Sequence, residues 1–184
     1  MNWLNYFRKW APKYDKEVEA YGYDPAKLFQ EFIPLIGRRH TCLDVGCGTG
    51  KSLEVVDKIC DKVVGIDPVE RMGKRAHGKG FNVLKLKGED IDKVEGKFDL
   101  ITFFASIDYM DAEKAAAASA KKLELDGEVF LTIEPPNEER VLNAFMDAGF
   151  EVEKRAVKKA YKGQNYVCYL LKQQLNRALS NIHR

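Results

Sequence analysis

The chain has 184 residues, 45% of them hydrophobic, and 30 Lys or Arg side chains stand against 28 Asp or Glu, a net charge of +2. That length fills one core and is too short for two ordinary domains, so a single domain is expected. Interspersed, nearly balanced charge leaves no footprint for nucleic acid, and apolar runs broken by charges exclude a bilayer-spanning helix.

The first 36 residues are rich in aromatics (Trp3, Tyr6, Phe7, Trp10, Tyr14, Tyr21, Tyr23, Phe29, Phe32) interleaved with charge, and read as helical segments packed over the rest of the chain. They lack the basic start, apolar middle and small-residue cleavage site of a secretory signal, which makes a soluble, cytoplasmic protein the expectation. From residue 40 onward, β-rich apolar runs alternate with helical patterns, the signature of a parallel sheet covered by helices. The runs are Thr41 to Val45, Lys62 to Asp67, Phe81 to Leu86, Phe98 to Phe104 and Glu128 to Glu134. Between them, Ser52 to Cys60 reads as a helix with Leu53, Val56 and Cys60 on one face, and Pro68 to His77 as a weaker one. Gly88 to Lys97 is short for a parallel crossover and has room for a helical turn at most.

Ala112 to Leu123 is an alanine-rich helix, and Val141, Leu142, Phe145 and Met146 share the face of another that Gly149 closes. Pro135-Pro136-Asn137 reads as a loop and helix start between strand and helix. After Gly149 the alternation changes: Phe150 to Val157 and Asn165 to Lys172 are strand patterns joined by a short loop with Gly163, a hairpin that adds an antiparallel pair. Residues 173 to 184 are polar and read as a short helix or tail. Cys42, Cys47, Cys60 and Cys168 form no Cys-x-x-Cys pair and have no His at ligand spacing, so reduced, buried thiols and no metal site are expected.

Residues 43 to 50, Leu-Asp-Val-Gly-Cys-Gly-Thr-Gly, carry most of the functional information. Where a strand gives way to a helix, Gly46, Gly48 and Gly50 permit positive φ and a close backbone approach by a ligand, and the helix start favours an anionic group. Spacing separates the possible owners. A phosphate-binding P-loop ending in Gly50-Lys51-Ser52 needs glycine at position 45, which is Val45. A dinucleotide fingerprint needs its third glycine at position 51, which is Lys51.

Asp44-x-Gly46-x-Gly48-x-Gly50 after a strand resembles the first motif of class I methyltransferases that use S-adenosylmethionine. The likeness runs from residue 38 to 172, through Asp67 at the end of the second strand, the Phe98-Asp99-Leu100-Ile101 strand and the terminal hairpin. It implies an α/β, Rossmann-like fold: a seven-stranded, mostly parallel sheet with an antiparallel last strand and helices on both faces. Residues 1–36 would then be a helical cover, 37–172 the cofactor-binding part and 173–184 a tail, all one structural domain.

The cofactor implied is S-adenosylmethionine. Asp44 would face its amino group directly or through water, with the backbone at Gly46, Cys47 and Gly48 close beside it. Asp67 would take the ribose hydroxyls, a task suited to a carboxylate with two accepting oxygens, although a helix cap before Pro68 explains the same residue. Glu89 or Asp90 would lie near the adenine amino group, with Ile66, Pro68 and Ile91 as apolar walls and Phe104 also at the cofactor, and substrate contacts are expected from the segment 103–109. Asp108, Tyr109 and Tyr14 could assist loss of a proton from the acceptor; no catalytic residue is singled out.

Trp10-Ala11-Pro12-Lys13-Tyr14-Asp15 and Tyr21-Gly22-Tyr23-Asp24-Pro25 are similar to the N-terminal cover of the Williams-Beuren region methyltransferase-like proteins. The Asp/Asn-Pro-Pro-aromatic motif of amino methyltransferases acting on nucleic-acid bases is missing after the fourth strand, and Pro135-Pro136 after the fifth does not replace it. Balanced charge and a small aromatic cover favour a small-molecule acceptor. The alternatives are a non-catalytic binder of the cofactor that serves as sensor or scaffold and, disfavoured by glycine spacing, a nicotinamide oxidoreductase.

Overall fold

The computed structural model describes residues 2–174. Seven strands form one sheet: β1 (Arg39–Val45), β2 (Cys60–Ile66), β3 (Asn82–Leu84), β4 (Phe98–Phe103), β5 (Leu123–Ile133), β6 (Phe150–Lys159) and β7 (Asn165–Gln173). Their order is β3-β2-β1-β4-β5-β7-β6. β7 runs antiparallel to both neighbours and every other pairing is parallel. The chain winds outward from β1 to β3, then returns to place β4 on the other side of β1. That reversal opens a crevice at the carboxyl ends of β1 and β4, where open α/β sheets take their ligands.

Side-chain alternation along the strands divides the core between two faces. Leu43, Val45, Ile101, Phe103, Val129, Leu131 and Leu171 point to one face, which is covered by α7 (Ala112–Lys122) and α8 (Glu138–Asp147). The alanines of α7 let it lie close to the sheet: Ala115 and Ala116 have no exposed surface. Cys42, Leu100, Phe130, Cys168 and Leu170 point the other way, under the N-terminal helices α2 (Tyr14–Ala20), α3 (Pro25–Phe29) and α4 (Ile33–Ile36). There Phe29 meets Phe130 edge-on at 4.7 Å and Phe32 does so at 5.1 Å. α1 (Trp3–Trp10) buries no residue of its own and lies against α6 (Glu70–Gly78).

Several boundaries differ from the sequence pattern. The helix expected over Ser52 to Cys60 is a single turn, α5 (Leu53–Val56), because Cys60 belongs to β2. Cys60 is joined to Cys42 of β1 in a disulfide, Cα to Cα 6.2 Å, so two of the four cysteines are not the thiols that spacing suggested; strand adjacency brings them together. Cys47 and Cys168 are free and buried as expected. β3 keeps only three residues of the run 81–86, and β5 starts at Leu123, directly off α7. Met146 is 38% exposed and leaves the buried face of α8. Gly88–Lys93 is a 3-10 turn, in line with the shortness of that connection. Gly149, at φ +95°, follows the last turn of α8 as a left-handed closing residue. Gln173 ends β7, so the polar tail expected from 173 starts later, and 175–184 lies outside the described residues.

The disulfide encloses the whole glycine segment within an 18-residue separation. Closing a loop of that length removes unfolded-state entropy equivalent to about 3 kcal/mol in the chain-entropy model. Reduction under native conditions should therefore lower the melting temperature by roughly 6 to 12 °C, read by calorimetry with and without reductant. An unchanged melting temperature would contradict a bridge in the folded state.

Candidate functional site

The turn after β1 is built as its glycines require. Gly46, Gly48 and Gly50 have φ of +71°, +55° and +87°, in the left-handed region that side chains avoid. Gly46 is also excluded from being anything larger, since a Cβ there would lie 2.5 Å from Ser106 Cβ. The amides of Gly46 and Cys47 donate to the carbonyl of Ile66 at 2.8 and 3.1 Å, which locks the turn against the end of β2. Gly48 N–H donates to Asp67 Oδ2 at 2.9 Å.

Asp67 thus binds the turn from the next strand. Its Oδ1 accepts from Val69 N–H at 2.7 Å and braces the approach to α6, whose N-cap is Val69 and not Asp67, so the helix cap expected at Asp67 is not formed. The same side chain stands on the wall of a cavity in the crevice, with 8% of its surface exposed. Each oxygen holds one amide and keeps a lone pair for a further donor. Burial raises its pKa to about 6, against the pull of the two amides.

Asp44, expected to face the cofactor's amino group directly or through water, is buried beneath the turn. It has no exposed surface and does not reach the cavity wall. Ser52 Oγ donates to one oxygen at 2.5 Å and Thr102 Oγ1 to the other at 2.7 Å. Burial raises its pKa to about 6 while the hydroxyls oppose the rise. Cys47 also lies off the wall, packed with Leu53, Ala76 and Val83, its thiol pushed well up by burial.

Gly46, Gly48, Asp67, Pro68, Glu89, Phe104, Tyr14 and Tyr109 do line the cavity. The 3-10 turn sends the two adjacent acids in different directions. Glu89 lies on the wall and accepts from Asp111 N–H at 2.9 Å, whereas Asp90 pairs with Lys93 at 2.7 Å and is off it. Ile91 and Ile66 are buried in the core and do not reach the cavity. Asp108 is also off the wall; its Oδ2 accepts from Glu134 N–H at 3.2 Å, and burial raises it to about 6.

The sequence pattern did not nominate Trp3, Leu4 and Phe7 as cavity residues, yet they cover it from α1. Their spacing puts three apolar side chains on one side of a helix capped by Asn2, whose side chain accepts from Asn5 N–H at 3.1 Å. Val69 and Met72 from the region of α6, Lys87, Gly88, Ala105, Ser106 and Met110 also line it. Ala105 holds φ +48° without being glycine, its amide donating to Thr132 Oγ1 at 2.6 Å. Strain of this kind gathers at ligand sites. Asp15 of α2 fastens the cover, accepting from Thr49 Oγ1 of the glycine turn and from Arg75 of α6 at 2.9 Å. Lys51 adds an ion pair to Glu19 at 2.5 Å. Among the described residues, no His, Cys, Asp and Glu gather as a metal site, and no helix is long and apolar enough to cross a membrane.

Comparison with known proteins gives this arrangement an owner. An uncharacterised protein of Methanocaldococcus jannaschii, MJ1123, is 27% identical over 168 residues, 89% of this chain and 75% of its own length. The probable S-adenosylmethionine-dependent methyltransferase CRG1 of Saccharomyces cerevisiae is 28% identical over 113 residues, 56% of this chain, and the match spans only 39% of that protein. A crystal structure of an S-adenosylmethionine-dependent methyltransferase from Clostridium acetobutylicum superposes with a TM-score of 0.73 at 18% identity, covering 90% of this chain and 98% of that one. The profile of the Methyltransferase domain family matches residues 3–180, from the first turn of α1 to beyond β7. With the glycine turn, the crevice and the antiparallel β7 inside that match, the chain belongs to the methyltransferase domain family of S-adenosylmethionine-dependent enzymes.

Proposed function

We propose that this chain transfers a methyl group from S-adenosylmethionine, held in the crevice cavity, to a small-molecule acceptor. The observation that carries this reading is the meeting of the glycine turn, Asp67 and an aromatic cover around one cavity. The walls suit that cofactor. Gly46 and Gly48 present bare backbone to it, Asp67 has two lone pairs for the ribose hydroxyls, and Pro68, Val69 and Met72 offer apolar surface to an adenine ring. Glu89, on the same wall, can accept from the adenine amino group. Asp44 acts from beneath, holding the turn through Ser52 and Thr102 without touching the ligand.

When bound, S-adenosylmethionine supplies a methyl group already activated by the sulfonium charge. What remains for the protein is orientation and exclusion of water. Residues 1–36 serve as the cover, Trp3, Leu4 and Phe7 closing the cavity from above and Tyr14 from the side. Burial, with the nearby Asp15 and Asp67 carboxylates, holds the Tyr14 phenol well above its usual range, so Tyr14 acts as a neutral wall and hydrogen-bonding group. A closed aromatic cover and a balanced charge favour a small acceptor over a polymer.

Calorimetric titration with S-adenosylhomocysteine should give saturable binding, and Asp67→Ala should weaken it by about 1 to 3 kcal/mol, the usual loss for a charged hydrogen-bond partner. Asp90→Ala should leave affinity unchanged. No heat at millimolar ligand would sink the reading.

The pH dependence has a definite sign. Burial favours protonated Asp67 below about 6, whereas ribose donors favour the carboxylate, so affinity should rise as pH passes upward through about 6. Asp67→Asn should flatten that step; a persistent step would assign it to another group.

Both tryptophans of the chain, Trp3 and Trp10, lie on α1, so intrinsic tryptophan emission reports the cover alone. Ligand binding should change that emission, and Trp3→Phe should remove most of the change because Trp10 is not on the cavity wall. Unaltered emission on saturation would separate α1 from the cofactor.

A further inference from the structure

The side of the cavity that follows β4 differs from the glycine-turn side in hydrogen-bond polarity. Tyr109 stands there with its ring 4.8 Å from Trp3 and 5.2 Å from Phe7, both edge contacts, so three aromatic rings meet under α1. Its hydroxyl donates to Glu134 Oε1 at 3.3 Å. A phenol has a single proton to give, so with that proton engaged the Tyr109 oxygen can only accept from the cavity. A carboxylate ligand, which has no proton to offer, finds no partner there.

Charge points the same way. Asp67 and Glu89 stand on the wall against one cation, Lys87. Directly behind Tyr109 are Glu134 and Asp108; Asp108 Oδ2 accepts from Glu134 N–H, and the Asn137 side chain is its other hydrogen-bonding neighbour. The cation whose field reaches Asp108 is Arg140, exposed on α8. An anionic acceptor would meet net repulsion here. An ammonium would gain from the carboxylates, from the accepting Tyr109 oxygen and from the aromatic rings, whose faces attract cations.

Resting on the reading of the cavity as the cofactor site, we propose that the methyl acceptor is a small amine recognised as its ammonium form at the Trp3–Phe7–Tyr109 corner; before transfer it releases one N–H proton to water, and the freed lone pair then forms the carbon–nitrogen bond as the methyl carbon–sulfur bond breaks and S-adenosylhomocysteine leaves. Tyr109 is the residue that contacts it. Glu134 is a positioning residue: it fixes the direction of the Tyr109 hydroxyl and adds negative charge behind it.

The test uses the full chain saturated with S-adenosylhomocysteine and two calorimetric probes matched in size, 2-phenylethylamine and 3-phenylpropionate at pH 7.5. The ammonium should bind at least about tenfold more tightly than the carboxylate, the ratio that corresponds to about 1.4 kcal/mol. Tyr109→Phe and Glu134→Gln should each erase most of that preference while leaving S-adenosylhomocysteine affinity and melting temperature within about twofold and about 2 °C of the parent, and Glu134→Asp should restore part of it. Equal binding, preference for the carboxylate, binding of neither probe up to about 20 mM, or a preference that survives both substitutions would overturn the proposal and leave the cofactor reading intact. Failure of S-adenosylhomocysteine itself to bind would overturn both.

Discussion

A carboxylate with no exposed surface, near the end of β1, sets the geometry of the crevice. A buried charge persists only when its oxygens are satisfied, and Asp44 receives one hydroxyl from each side. Thr102 is its register partner across the β1–β4 pair, the two strands between which the sheet order reverses. Ser52 stands at the exit of the glycine turn, eight residues beyond Asp44. Entry strand, exit turn and facing strand are therefore tied at one point. The glycines between them bend freely in φ, yet their two ends cannot drift apart.

A second carboxylate fixes the turn from above as Asp44 does from below. Asp67 accepts from Gly48 and Val69, and Asp15 from Thr49 and Arg75, so three acids on three different elements converge on a stretch of nine residues. Among them only Asp67 combines this structural work with a place on the cavity wall. It braces the turn and the approach to α6 while leaving part of its surface on the cavity. The cover is joined to the turn through Asp15 and Glu19, so movement of the N-terminal helices and the shape of the glycine turn are mechanically connected.

Most of the sheet was legible because its signals are local. Alternating apolar runs placed all seven strands, Gly163 marked the hairpin, and the glycine spacing identified the family. What was hidden depends on neighbours distant in sequence. The inward direction of Asp44 follows from its pairing with Thr102, 58 residues away. Cys60 looks helical until β2 lies beside β1 and presents it to Cys42. Glu89 and Asp90 are indistinguishable as letters, and only the 3-10 turn, which hands Asp90 to Lys93, separates them. The place of Trp3, Leu4 and Phe7 over the cavity is decided by how α1 docks on α6, for which an amphipathic pattern supplies a face but no destination.

The contact between Gly46 and Ser106 has a consequence for how such an enzyme can change its substrate. With no room for even one carbon between the two loops, and with Ser106 Oγ hydrogen-bonded to Val45 O at 2.6 Å, the first residues after β4 are interlocked with the glycine turn. Variation tolerated there is small, since any added bulk pushes directly on the turn. Beyond Ser106 the constraint ends: Tyr109, Met110 and the face of α1 touch the cavity without bracing the turn. The crevice is thus partitioned into a half braced by the glycine turn and a half that can be remodelled; under the function proposed above, selection for a new acceptor can work on the second without disturbing the first.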